Sequence, residues 1–113
     1  MATLSTHVLD LVAGVPARGV RLWLHGDGGQ LFDGETNADG RCPELARIAS
    51  LAAGRYRLEF AVAPYFQARG VVLDDPPFLE IVPICFGIAE GGRAHYHVPL
   101  LVSPYGFSTY RGS

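Results

Sequence analysis

Two histidines, His95 and His97, stand two residues apart near the end of the chain. In an extended strand the side chains of residues i and i+2 share a face. One surface therefore carries two groups that titrate near neutral pH. Histidine with arginine suits hydrolysis without a metal. A neutral imidazole takes a proton from water, and a guanidinium holds a developing oxyanion or a planar, imide-like ring through paired hydrogen bonds. His7, His97 and Arg41 are the candidates for this chemistry. Zinc competes for the same residues, since His-x-His is a ligand spacing and His7 offers a third nitrogen. No Cys pair or His-x-x-Glu arrangement accompanies it. Ser113 is a possible nucleophile with no base of its own in sight, and His25 reads as a turn-flanking residue. Asp10, Asp27, Asp33 and Asp39 fall at or near turns, where Asx bonding to the backbone accounts for them. The chain has no nucleophile elbow, phosphate loop or EF-hand loop.

Turn signals separate the elements that must position these residues. They include Gly26-Asp27-Gly28-Gly29, Ala38-Asp39-Gly40, Asp74-Asp75-Pro76-Pro77, Glu90-Gly91-Gly92 and Ser103-Pro104-Tyr105-Gly106. Ala13-Gly14-Val15-Pro16 also reads as a turn. The β-prone runs between them predict strands at about 3–11, 19–25, 30–36, 55–62, 79–89, 94–102 and 107–112, with a stub near 40–42. Pro43 suits a first helical turn, which predicts a helix over about 43–52, and a second short turn fits 64–69. Many short strands with little helix predict an antiparallel sandwich or barrel. Alternation assigns Tyr96, Val98, Leu100 and Val102 to the core, and His95, His97, Pro99 and Leu101 to the other face. Likewise Tyr56, Leu58, Phe60 and Val62 point inward while Arg55, Arg57, Glu59 and Ala61 point out.

The last hairpin permits a finer reading. A two-residue loop at Pro104-Tyr105 places residues whose numbers sum to 209 opposite each other. His97 then faces Gly112, and Pro99 faces Tyr110. Opposed residues share a sheet face, so His95, His97, Ser108, Tyr110 and Gly112 gather on one side, and Phe107 and Thr109 join the core. Proline cannot donate to the ladder, which predicts an edge, a bulge or an unpaired position at Pro99. Alternation also puts Ser5, His7 and Leu9 on one face of the first strand. It does not bring that face to His97.

At 113 residues the chain is one domain's worth, and a chain so short buries only roughly 60–70% of its unfolded surface. Its hydrophobic fraction of 49% is high for that size and favours a partner copy. No run approaches the ~18–20 apolar residues that span a bilayer. The net charge of −2 comes without a basic stripe, which argues against nucleic acid as a partner. The N-terminal residues lack a signal peptide's basic and apolar regions, so a cytoplasmic location is expected. Free thiols are then expected at Cys42 and Cys85, both read as core or near-core hydrophobes.

Three segments resemble the transthyretin-like family, and specifically its branch that hydrolyses 5-hydroxyisourate. They are Ser5-Thr6-His7-Val8-Leu9-Asp10 followed by Gly14-Val15-Pro16-Ala17; Thr36-Asn37-Ala38-Asp39-Gly40-Arg41; and His95 to Ser113, ending Tyr110-Arg111-Gly112-Ser113. The similarity runs over essentially the whole chain, residues 1–113, as a single domain. It implies an all-β sandwich of two four-stranded sheets with one short helix. It also implies a homotetramer, a dimer of dimers whose active sites lie between protomers, acting on a small-molecule substrate with no cofactor and no metal. His7, Arg41, His97 and the terminal Tyr110, Arg111, Gly112 and Ser113 are the functional positions it implies. In that reading one of His7 and His97 is the general base, and the other positions substrate or shuttles a proton. Arg41 holds the ring, Tyr110 contacts it, and Ser113 orders the pocket or the water. The family also contains binding proteins without hydrolase activity, and the ionisable set at 7, 41 and 97 is what separates the two alternatives.

Overall fold

The structure, a computed structural model, describes residues 1–48 and 50–113. Among the described residues eight strands form two four-stranded sheets. They are β1 (Thr3–Asp10), β2 (Val15–Pro16), β3 (Arg21–Gly26), β4 (Gly29–Glu35), β5 (Gly54–Ala61), β6 (Ile81–Ile88), β7 (His95–Ser103) and β8 (Gly106–Thr109). One sheet has the order β2-β1-β7-β8 and the other β4-β3-β5-β6. The inward side chains fall on even positions in the strands that build the core. Leu4, Val8, Tyr96, Val98, Leu100 and Val102 from the first sheet meet Leu22, Leu24, Leu58, Phe60, Val82 and Ile84 from the second. Each such aliphatic or aromatic side chain contributes roughly 1.5–3 kcal/mol on burial. Odd positions of β1 are half-buried, so the face bearing His7 is left partly open.

The expectation of purely antiparallel sheets needs one correction. β1 and β7 run parallel, in register from Thr3 opposite His95 to Asp10 opposite Val102. The paired residues lie 92 apart in sequence, so no hairpin dictates their direction. The long connection that parallel pairing requires is here the whole of the second sheet. A buried hydroxyl adds a specific tie, as Thr6 Oγ1 donates to the Val98 carbonyl at 2.7 Å.

The helices also fall differently. Pro43–Arg47 is a 3-10 turn that ends at Ile48, whose backbone is extended. Leu51, expected in the same helix, instead exchanges backbone hydrogen bonds with Ala2 at 2.8 and 2.7 Å, which draws the chain straight. Ala49, in the same expected helix, lies outside the described residues. The short helix of the fold is α1 (Val62–Ala68), where a lesser turn was expected. It is fastened to β1 by Tyr65, whose hydroxyl donates to Asp10 Oδ2 at 2.7 Å. β2 replaces what read as a turn.

The final hairpin has the expected register, from Ser103 opposite Gly106 to Leu100 opposite Thr109. β8 stops at Thr109, short of the expected residue 112. The reason is Pro99, which has no N–H to give Tyr110, and whose carbonyl accepts from Thr109 Oγ1 at 2.8 Å. Pairing resumes only as an isolated bridge between His97 and Gly112. Phe107 and Thr109 are exposed rather than buried in the core. β8 is an edge strand, and the facing sheet leaves an open groove beneath it. Cys42 is buried as expected, whereas Cys85 is exposed, because odd positions of β6 face away from the core. Among the described residues no helix is long and apolar enough to cross a membrane.

Candidate active site

Two rows of residues cross the outer face of the β1–β7 sheet. In the first, Ser5 on β1 is opposite His97 on β7, and His97 is opposite Gly112. In the second, one step along, Arg41 is opposite His7, and His7 is opposite Pro99. His7 is thus the direct neighbour of Arg41 and the diagonal neighbour of His97. Diagonal neighbours on a sheet are within reach of long side chains. The parallel register supplies what alternation along single strands lacked, and His7, Arg41 and His97 share one surface.

Arg41 is held there by a tight loop. Asn37 Oδ1 accepts from the backbone N–H of Asp39 at 2.9 Å and of Arg41 at 3.1 Å. The Gly40 carbonyl accepts from Val8 N–H at 2.8 Å, docking the loop on β1 beside His7. Gly40 has φ +74°, and a Cβ there would sit 2.4 Å from the Val8 carbonyl oxygen. Only glycine allows that approach. Gly40 and Asn37 thus position Arg41; the sequence showed them only as turn formers.

The histidines are linked by the hydroxyls of Thr3 and Ser5, which the sequence did not single out. Thr3 Oγ1 lies 2.6 Å from His95 Nδ1, Ser5 Oγ lies 2.8 Å from His95 Nε2, and Ser5 Oγ lies 2.8 Å from His97 Nδ1. The available signal was the alternation of Thr3, Ser5 and His7 along β1. Burial pushes the His97 imidazole below its ordinary value, and the positive charges of Arg41, His7 and His95 push the same way. His97 is therefore mostly neutral at neutral pH, as a base for water must be. Among the described residues no group of three or more His, Cys, Asp or Glu side chains is spaced to hold a metal ion.

The terminal tetrapeptide divides. Gly112 is buried against His97, its N–H donating to the His97 carbonyl at 2.8 Å. A Cβ on Gly112 would fall 2.5 Å from His97 Cδ2. Arg93, from the loop before β7, donates to the Gly112 carbonyl at 3.0 Å and holds the segment down; nothing in the sequence marked it. Tyr110 and Arg111 turn toward the inter-sheet side, where they line a groove of about 360 Å³ with Ile84, Phe86, Tyr96 and Val98. Ser113 follows Gly112 and is exposed. A depression of about 430 Å³ lies on the outer face of the other sheet, among His25, Arg55, Arg57 and Cys85. His25 is not idle there, because its Nε2 is 2.8 Å from Glu59 Oε1, and Arg57 Nε donates to Glu59 Oε2 at 2.9 Å.

Residues 4–112 match the model of the HIUase/Transthyretin family. A 5-hydroxyisourate hydrolase of Ralstonia nicotianae is 49% identical, the match covering 100% of both chains. One of Caulobacter vibrioides is 50% identical over 100% of both. Among solved structures, Klebsiella pneumoniae 5-hydroxyisourate hydrolase superposes with a TM-score of 0.86 at 41% identity, covering 100% of each chain. Sea bream transthyretin in complex with thyroxine superposes with a TM-score of 0.84 at 31% identity, covering 98% of this chain and 95% of that one.

Proposed function

The chain belongs to the HIUase/Transthyretin family, and on that footing we propose that it hydrolyses 5-hydroxyisourate, opening the ring to 2-oxo-4-hydroxy-4-carboxy-5-ureidoimidazoline in urate catabolism. The observation that carries the reading is the meeting of His7, Arg41 and His97 on one sheet face through the parallel β1–β7 register. Full-length relatives of that name at about half identity support it.

His97 is the general base. Its Nδ1 is engaged by Ser5, which leaves Nε2 for water. Water oxygen adds to the amide carbonyl carbon of the ring, the carbon–nitrogen bond breaks, and the ring nitrogen takes one proton that came from water. The other water proton leaves when the new carboxyl group ionises. Arg41 pairs with the planar ring and with the oxygen on which negative charge develops. His7, between the two, orients the substrate. Gly112 completes the site by fixing the ring of His97, with Ser113 next to it; Tyr110 and Arg111 line the inter-sheet groove of this chain, and their contact with substrate is what the family resemblance implies. No metal and no cofactor enter this scheme.

The face carrying these residues is open in one chain. A homotetramer, as a dimer of dimers that brings two such faces together, fits that openness and the exposed Leu11, Val12 and Val15 near it. A cytoplasmic, single-domain enzyme belongs to the same reading, and recovery of the protein in an envelope fraction would remove the first of those terms. The decisive assay generates 5-hydroxyisourate with urate oxidase, adds the protein and follows ultraviolet absorbance. The expected result is decay well above the spontaneous rate, and decay at the spontaneous rate would end the reading.

A further inference from the structure

The contacts from Thr3 to His97 form one unbroken chain: Thr3 Oγ1, His95 Nδ1, His95 Nε2, Ser5 Oγ, His97 Nδ1, with gaps of 2.6, 2.8 and 2.8 Å between the separate residues. We propose that Ser5 and His95 act as positioning residues that set the tautomer of His97 and take over its proton during turnover. The proposal rests on the hydrolase reading and deepens it.

Proton counting leaves the neutral chain two arrangements. The Ser5 hydroxyl has one hydrogen, so it donates to one ring and accepts from the other. In the first arrangement Ser5 donates to His97 Nδ1, and His97 carries its hydrogen on Nε2. His95 then donates from Nε2 to Ser5 and accepts at Nδ1 from Thr3. In the second arrangement every hydrogen is reversed. His97 Nδ1–H donates to Ser5, Ser5 donates to His95 Nε2, and His95 Nδ1–H donates to Thr3. Only the second arrangement leaves His97 Nε2 bare and able to accept a proton from water.

The second arrangement also supplies a route for charge. When Nε2 takes the water proton, His97 becomes an imidazolium beside Arg41, in a partly buried place. Its Nδ1 proton passes to Ser5 Oγ as the Ser5 proton passes to His95 Nε2. His97 is then neutral and carries its hydrogen on Nε2, while His95 is the imidazolium, holding N–H bonds to Ser5 and Thr3. Within one chain His95 is exposed and His97 half-buried, so the charge costs less to hold at His95 than at His97. When the Nε2 hydrogen is given to the leaving ring nitrogen, the two transfers reverse and the chain returns to its starting arrangement. Atoms and charge balance at each stage, and no external reactant is needed. Arg41, His7 and His95 are the charged or titratable neighbours that act on His97, and the terminal carboxylate of Ser113 follows Gly112, which packs on its ring. Of these, His95 alone joins it through a hydroxyl contact on Nδ1.

The test uses the whole protein and three variants checked for unchanged thermal midpoint. Ser5→Ala removes the hydroxyl and keeps both rings. Ser5→Thr restores a hydroxyl. His95→Gln keeps a hydrogen-bonding side chain that cannot hold a proton. Ser5→Ala and His95→Gln are expected to lower kcat by roughly 10–100-fold, a part of what general acid–base catalysis supplies, with KM within about twofold, and Ser5→Thr to recover most of the loss. In mixtures of light and heavy water the wild-type rate is expected to curve with deuterium content, as several protons move together, and the Ser5→Ala rate to vary linearly. Nitrogen-15 NMR gives a readout without turnover: His97 carries its hydrogen on Nδ1 in the wild type and loses that preference in Ser5→Ala. Wild-type kcat in both Ser5→Ala and His95→Gln, or the same His97 nitrogen pattern in the wild type and in Ser5→Ala, would overturn the relay alone. An inactive wild type would remove the hydrolase reading and the relay's catalytic role with it, whatever the NMR shows.

Discussion

In the proposed mechanism His97 concentrates the site's chemistry in one ring. The neutral imidazole is the working form, and burial, Arg41, His7 and His95 all hold its pKa below the usual imidazole value of about 6.5. The sign follows directly. Activity is full above that depressed value and is lost as pH falls through it, so the acid limb of kcat/KM lies below pH ~6.5. Arg41→Met removes a positive neighbour, so it moves that limb to higher pH as well as lowering the maximum; a pH–rate profile of the two proteins checks both. His97→Asn is expected to cost about 10²–10⁴-fold in kcat with the fold intact, measured by substrate absorbance and circular dichroism. Gly112 bears on the same ring without doing chemistry. A Cβ placed 2.5 Å from His97 Cδ2 must tip the imidazole off Ser5. Gly112→Ala is accordingly expected to lower kcat by roughly 10²-fold, the scale of a misplacement near 1 Å, with little change in thermal midpoint. An unchanged kcat would mean the ring accommodates the methyl.

Among the elements, β1 carries most of the consequence. Its outer face supplies Thr3, Ser5 and His7, and its inner face Leu4, Thr6, Val8 and Asp10. Its end is anchored by Asp10, which accepts from the backbone N–H of Val12 at 2.8 Å and Ala13 at 3.0 Å and from the Tyr65 hydroxyl at 2.7 Å. Burial raises the Asp10 pKa, but the hydrogen bonds and the nearby Arg69 outweigh it, and the carboxyl ends below its ordinary value. Burial, together with the same contact, pushes the Tyr65 hydroxyl up to about 12, so it stays a donor. Tyr65→Phe leaves a carboxylate oxygen without that partner and is expected to cost about 1–3 kcal/mol. Because the folded Asp10 pKa is depressed, its contribution is present above the ordinary carboxylate value of about 3.9 and is lost as pH falls through the folded one. The gap between wild type and Tyr65→Phe should therefore narrow in acid, which urea titrations at neutral and acid pH would show.

For the molecule as a whole, the proposed assembly would cover the open site face, and in that proposal one chain is an incomplete catalyst. The expected behaviour is concentration-dependent. Activity per chain falls on dilution over the same range in which sedimentation shows the assembly coming apart. Constant activity per chain across that dissociation would place a complete site within one protomer.

Much of this is legible in the amino-acid sequence. Alternation gave the faces of β7 and of β5 as far as Phe60, because side-chain direction in a strand is a local, period-two property; Ala61, read as pointing out, is buried, and Val62 opens α1. The Pro104-Tyr105 turn gave the register of the last hairpin, and the missing N–H of Pro99 gave its interruption. All of these depend on residues near in sequence. The parallel β1–β7 pairing, the docking of Arg41 beside His7 and the Thr3–His95–Ser5–His97 chain were decided only by the tertiary structure. Each joins residues 34 to 92 positions apart, and no local propensity records which distant strand a sheet edge accepts or in which direction. The sequence determined which groups could do the chemistry, and packing of the two sheets decided which of them meet.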